Sequence, residues 1–190
     1  VASLKVKPDG TRRIVLAYMS IGEAEVYRFY WQPEWNDPAR RPAWIHEENA
    51  QWQGNFRVRY WDPAWQAIMF GSAEAYLDRL IAAGFDGIYF DRADVFEELG
   101  RINPAAEAEM AAFIVRLAAY ARAKNPEFVL VMQNDEELID YQAVLNAIDG
   151  IAKEDLFFGI NHDAAPNEAS TVSWTIDVLR KVRRAGRPVF

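Results

Sequence analysis

Four short apolar runs along the chain each end in a burst of acidic or amide residues. Ile14-Val15-Leu16-Ala17-Tyr18 leads into Ser20, Gly22, Glu23 and Glu25. Gly87-Ile88-Tyr89-Phe90 leads into Asp91 and Asp94, and Phe128-Val129-Leu130-Val131-Met132 into Gln133, Asn134, Asp135, Glu136 and Glu137. Ile151-Ala152 leads into Lys153, Glu154 and Asp155. Strands buried on both faces read as unbroken apolar runs. α/β barrels and doubly wound sheets collect their functional groups at the carboxyl ends of such strands. The pattern therefore predicts where a site lies and that it is rich in carboxylates.

Between the runs the apolar spacing changes to a helical period. Asp62-Pro63 is an N-cap followed by proline at the first helical position. Trp65, Ile68, Met69, Tyr76, Leu80 and Ile81 then mark one face of a predicted helix that continues to Gly84. Asn103-Pro104 opens a second helix with Met110, Phe113, Ile114, Leu117 and Ala121 on its buried stripe. A shorter helix is predicted near 136–147 and a last one over about 167–185, ending at Gly186. The strands are predicted at about 13–19, 86–90, 128–132 and 149–153. Val1 to Lys7 reads as the tail of a helix, and Arg187-Pro188-Val189-Phe190 as the start of another strand. No hairpin signal such as Asn-Gly separates the strands, so the expected class is parallel α/β.

The segment 20–61 is too long for an ordinary connection and reads as a functional loop. It is broken at Gly22, Pro33, Pro38, Pro42 and Gly54, yet carries Trp31, Trp35, Trp44, Trp52 and Trp61. With 14 % of the chain aromatic, two readings stand open: an aromatic core, or surfaces on which the CH faces of a sugar ring stack.

A chain of 190 residues fits one domain with a real core. The net charge of −7 argues against a nucleic-acid partner and suits a cationic or neutral ligand. No apolar run reaches the ~20 residues of a membrane span. There is no cysteine, hence no thiolate chemistry. His46 and His162 stand alone, without metal-ligand spacing. No Gly-x-Gly-x-x-Gly or Walker loop calls for a nucleotide, so no cofactor or metal is expected.

The strand-end acids narrow the chemistry. Asp91 closes the run Gly84-Phe85-Asp86-Gly87-Ile88-Tyr89-Phe90-Asp91; Asp86, at the start of that strand, lies on the stability face. Glu154 closes Asp149-Gly150-Ile151-Ala152-Lys153-Glu154. A pair of carboxylates on neighbouring strand ends is what glycoside hydrolysis requires. The bland alternatives are that Asp91 caps its turn or pairs with Arg92, and that Glu154 pairs with Lys153. Glu23 and Glu25 follow a Ser-Ile-Gly turn and either hold substrate or order the loop with Arg28. Asn134 either donates to a sugar hydroxyl or caps a helix. Tyr18, Trp61 and Tyr89 are candidate stacking surfaces.

These segments together resemble glycoside hydrolase family 114, the endo-α-1,4-polygalactosaminidase family. The resemblance rests on Tyr18-Met19-Ser20-Ile21-Gly22-Glu23-Ala24-Glu25-Val26-Tyr27-Arg28, on 54–66, and on the blocks at 84–91, 133–138 and 149–158. It implies a (β/α)8 TIM barrel, usually secreted, that cleaves α-1,4-linked galactosamine polymers with retention. On that template Asp91 matches the nucleophile and Glu154 the acid/base, and Tyr18, Ser20, Glu23, Tyr60, Trp61, Asn134 and Lys153 are expected to contact substrate. The template also implies that the chain holds about strands 3–6 of the barrel, an incomplete segment of it in a single domain 1–190. Gly is expected where Asp135 stands, a departure that concerns the local turn. The rival reading is a non-catalytic carbohydrate-binding protein on a degenerate barrel.

Overall fold

The computed structural model describes every residue except Asn161 and Asp163. Its centre is a four-stranded parallel sheet of β1 (Leu16–Ser20), β5 (Gly87–Asp91), β6 (Val129–Gln133) and β7 (Gly150–Ala152), in that order. The order equals the chain order, as expected when each strand returns through a helix to lie beside its predecessor. Beyond β7, Ile151 and Val189 form a parallel bridge, so the predicted strand start at the C-terminus pairs with the β7 edge.

Side chains alternate along each strand, and the register aligns them in rows. Met19, Phe90, Met132 and Ile151 stand side by side and are fully buried. They share one core with Leu77, Phe113, Leu117, Val144 and Val182 from the helices. The opposite face carries Tyr18, Tyr89 and Asp91, all only partly covered.

Helix α4 (Ala106–Lys124) buries the predicted stripe of Met110, Phe113, Ile114, Leu117 and Ala121. Asn103 caps the turn before it, its Oδ1 accepting from Ala105 N at 3.0 Å. The helix predicted from Asp62 to Gly84 is two helices instead, α1 (Pro63–Met69) and α2 (Tyr76–Ala82). Gly71 lies between them with φ +114°, a backbone that closes the first helix. The Asp62 cap is as expected, its Oδ1 accepting from Ala64 N at 2.8 Å. The helix near 136–147 likewise resolves into a 3-10 turn, Glu136–Asp140, followed by α5 (Gln142–Ala147). Helix α3 (Val95–Leu99) follows β5, and α6 (Ala169–Arg184) closes the chain. The N-terminal helix tail is a 3-10 turn, Ala2–Lys5.

The long connection departs most from expectation. It contains an antiparallel sheet of β2 (Glu23–Glu25), β4 (Asn55–Val58) and β3 (Ile45–Glu48), ordered β2-β4-β3. Of its tryptophans, Trp44 is buried and packs tilted on Trp65 of α1 at 5.2 Å, and the half-buried Trp31 stacks on Phe56 at 5.4 Å. The sheet docks on the carboxyl end of β5, where Ile21 N donates to Asp91 O at 3.0 Å. Gly22 makes this approach possible, because a Cβ there would sit 2.0 Å from the Arg92 carbonyl oxygen. Among the described residues no helix is long and apolar enough to cross a membrane.

Candidate active site

A cleft of about 1170 Å³ opens at the carboxyl ends of β5, β6 and β7, roofed on one side by the small antiparallel sheet. Asp91, Asn134, Lys153 and Glu154 line it with Tyr18 and Tyr89, as their strand-end positions predict. The described lining residues include nine carboxylic side chains, Glu25, Asp91, Asp94, Glu97, Asp135, Glu136, Glu137, Glu154 and Asp155, against the cations Arg92 and Lys153. That imbalance makes the cleft a place for neutral or cationic groups.

The backbone at the strand ends is unusual. Arg92 after β5, Asn134 and Asp135 after β6, and Asp155 after β7 all have φ between +52° and +63°. Non-glycine residues rarely adopt this region, and it concentrates at functional sites. Here it turns the chain sharply so that consecutive side chains crowd into one mouth.

Asp91 is held on both oxygens. Tyr18 Oη donates to its Oδ2 at 2.7 Å, and Arg92 N donates to its Oδ1 at 2.7 Å. Asn134 Oδ1 accepts from Glu154 N at 3.0 Å and so fixes the backbone at Glu154, whose side chain is exposed. Lys153 pairs with Glu136 at 3.2 Å, leaving Glu154 clear of it. Tyr89 lines the cleft with both acids, and burial raises its pKa first, then the charges of Glu154 and Asp91.

Four of the expected contact residues lie elsewhere. Glu23 is fully buried, accepting from Asn49 Nδ2 at 2.8 Å and pairing with Arg92 at 3.0 Å. It ties the small sheet to the β5 end, and Glu25 takes the place at the mouth. Glu25 accepts from Tyr27 Oη at 2.6 Å and pairs with Arg28. Tyr60 is also fully buried, its hydroxyl donating to Ala106 O at 2.6 Å. Trp61 packs edge-on against it at 5.0 Å and belongs to the periphery of the core. Ser20 is buried opposite Asp91, its Oγ without a hydrogen-bond partner among the described residues.

The aromatic side chains that do face the cleft include Tyr27, Trp52 and Trp174, besides Tyr18 and Tyr89. Trp52 is 66 % exposed and Trp174 42 %. Nothing in the sequence sets these apart from the tryptophans that fill the core.

The sequence profile of glycoside-hydrolase family GH114 matches residues 3–190. The chain belongs to that family. An uncharacterized protein of Deinococcus radiodurans is 42 % identical to it over 187 residues, covering 98 % of this chain and 58 % of its own length. One of Methanocaldococcus jannaschii is 40 % identical over 194 residues, covering 98 % of this chain and 53 % of its own. The GH114 chain described here thus spans little more than half the length of these relatives. The glycoside hydrolase domain of PelA from Pseudomonas aeruginosa superposes with a TM-score of 0.65 at 18 % identity, over 95 % of this chain and 66 % of that one. A variant of the same domain gives 0.67 at 17 %. This likeness speaks for the fold, which is the α/β barrel type.

Two further acids of this GH114 site are perturbed by their surroundings. Burial raises the pKa of Asp94 to about 6, aided by Asp91, Glu98 and Glu23 and opposed by Arg92. Arg92 Nη1 donates to Asp94 Oδ2 at 2.5 Å, while Asp94 Oδ1 is shut off from solvent without a partner among the described residues. Burial also raises Asp135 well above the usual carboxylate range, with Asp94, Asp91 and Glu136 adding to it. Sequence reading finds both residues as strand-end acids but has no signal that distinguishes them from the other acids around them.

Proposed function

We propose that this GH114 chain carries the catalytic face of a retaining glycosidase that cleaves α-1,4-linked galactosamine-containing polysaccharide. In this reading the Asp91 carboxylate attacks the anomeric carbon and forms a glycosyl ester. Glu154 protonates the departing oxygen, then deprotonates the water that hydrolyses the ester. The observation that carries the reading is that Asp91 and Glu154 line one cleft, at the carboxyl ends of β5 and β7. The excess of carboxylates suits the ammonium groups of a deacetylated amino sugar. Tyr18, Trp52 and Trp174 offer apolar faces to its rings. The reading takes the chain as one part of a longer, secreted barrel, since the relatives it matches are nearly twice as long.

The test uses the full-length natural protein on partially deacetylated galactosaminogalactan. Asp91→Asn abolishes turnover. Glu154→Ala also loses it on the polymer, but retains cleavage of an aryl glycoside whose leaving group needs no proton, and added azide restores the second step. Proton NMR of the first product gives the α-anomer. Turnover unaffected by Asp91→Asn, or a β-anomer, removes the mechanism. Glycan binding without turnover in the wild type would instead leave a binding protein.

A further inference from the structure

Among the described residues, Asp135 differs from the other buried acids that line the cleft in having no partner. Glu25 has Arg28 and Tyr27, and Glu136 has Lys153. Asp135 is 5 % exposed, takes part in no ion pair among the described residues, and its Oδ2 is sealed from solvent without a hydrogen bond. A charged oxygen in that position would forfeit its hydration and receive nothing in return. The groups around it make matters worse for a charge: Asp91 and Asp94 from the β5 end and Glu136 beside it repel one, and Arg92 opposes them. Arg92 is already shared among Glu23 of β2, Asp94 and Glu98 of α3, and Lys153 at the β7 end is tied to Glu136.

The backbone at this residue points the same way. Asp135 has φ +60°, a conformation that glycine adopts freely and most side chains resist. The strain is tolerated at a residue that lines the cleft. A cleft lined by ionised carboxylates offers a sugar mainly acceptors, whereas each sugar hydroxyl also needs a donor for its own lone pairs.

We infer that Asp135 is a neutral carboxylic acid in the resting site and donates its proton in a hydrogen bond to a sugar oxygen. It is a substrate-binding residue that gives an acidic mouth a neutral donor beside Asp91. The inference rests on the reading of the cleft as a glycan site. It differs from an ammonium clamp, which would need Asp135 ionised.

Two substitutions separate these cases, because Asn and Gly both accept the left-handed backbone. Asp135→Asn keeps a neutral donor of the same shape, and Asp135→Gly removes it. Both are made in the full-length protein. Infrared difference spectra at neutral pH show the carbonyl band of a protonated acid in the wild type, absent from both variants. Binding is read calorimetrically, on catalytically silenced Asp91→Asn protein, with oligomers of galactosamine and of N-acetylgalactosamine. Asp135→Gly weakens both oligomers about three- to tenfold, the weight of one neutral hydrogen bond, and Asn recovers most of that loss.

A wild-type spectrum without the band overturns the inference. So does an Asn variant as weak as Gly, or a loss confined to the cationic oligomer, either of which marks an ionised Asp135. A Gly variant that binds like the parent shows that Asp135 touches no sugar. If the parent binds neither oligomer, the glycan reading fails, and the infrared band still decides the state of Asp135.

Discussion

Tyr18 Oη donates to Asp91 Oδ2 at 2.7 Å, across the pair of strands in which Ser20 stands opposite Asp91. Burial and the adjoining carboxylate hold the phenol protonated far above its ordinary range, so it remains a donor at any working pH. It therefore sets the direction in which the Asp91 carboxylate points. Tyr18→Phe removes a hydrogen bond to a charged group, about 1.5–3 kcal/mol. Under the proposed mechanism kcat falls about 10- to 100-fold, with KM changed far less. Steady-state kinetics on the glycan checks this; an unchanged kcat would mean that Asp91 needs no such positioning.

Asp86 sits at the opposite end of β5 and anchors the N-terminal segment. It accepts from Lys5 Nζ at 2.7 Å, Arg12 Nη2 at 2.6 Å and Val15 N at 2.9 Å. Burial alone would raise its pKa, but the bonds from Lys5, Val15 and Arg12 outweigh it and lower the value to about 2. A carboxyl whose folded pKa is depressed stabilises the fold above its unfolded value of about 4 and loses that contribution as pH falls through the folded one. Stability is therefore expected to drop between about pH 4 and pH 2. The drop is about 1–2 kcal/mol, reduced from the full shift because Arg12 is largely in solvent. In Asp86→Asn the dependence is lost over that window, as read by urea midpoints at stepped pH.

Glu23 is expected to act on stability rather than on substrate. Glu23→Ala strips Asn49, Asn55 and one contact of Arg92 of their acceptor. The cost is about 2–3 kcal/mol, below that of a fully broken buried pair because Arg92 keeps Asp94 and Glu98. The thermal midpoint falls. A variant of unchanged midpoint but raised KM would restore Glu23 to the substrate contacts.

The tryptophans divide by the same logic. Trp52→Ala removes an exposed face at the cleft, and KM is expected to rise about three- to tenfold at constant stability. Trp61→Ala opens the core edge beside Tyr60 and costs about 2–3 kcal/mol with KM unchanged. Paired calorimetry and kinetics on the two variants distinguish these assignments; a KM effect at Trp61 would reverse them.

Asp135 carries the opposite pH signature to Asp86. Its raised folded pKa gives stability that is complete below the unfolded value and lost as pH rises through the folded one. Asp135→Asn removes that loss. Its melting temperature should therefore gain on the wild type as pH rises from about 4 to neutrality, and a gap that stays constant would argue against a neutral Asp135.

The amino-acid sequence determined the parallel sheet, its order, and the two strand ends at Asp91 and Glu154. Those features are local: a run buried on both faces must be continuously apolar, and its polar end marks where the strand meets solvent. The small antiparallel sheet escaped because its strands are three or four residues long and are joined by no tight turn, so no period accumulates in them. Glu23 and Glu25 share a strand face, and only tertiary structure decided between them, by bringing Asn49, Asn55 and Arg92 from distant segments onto the first. Tyr60 and Trp61 turned inward for the same reason, since the helix that buries Tyr60 begins more than forty residues later. The state of Asp135 was least legible of all. A carboxyl group's charge depends on which donors and charges surround it in space, and the sequence lists neighbours only along the chain.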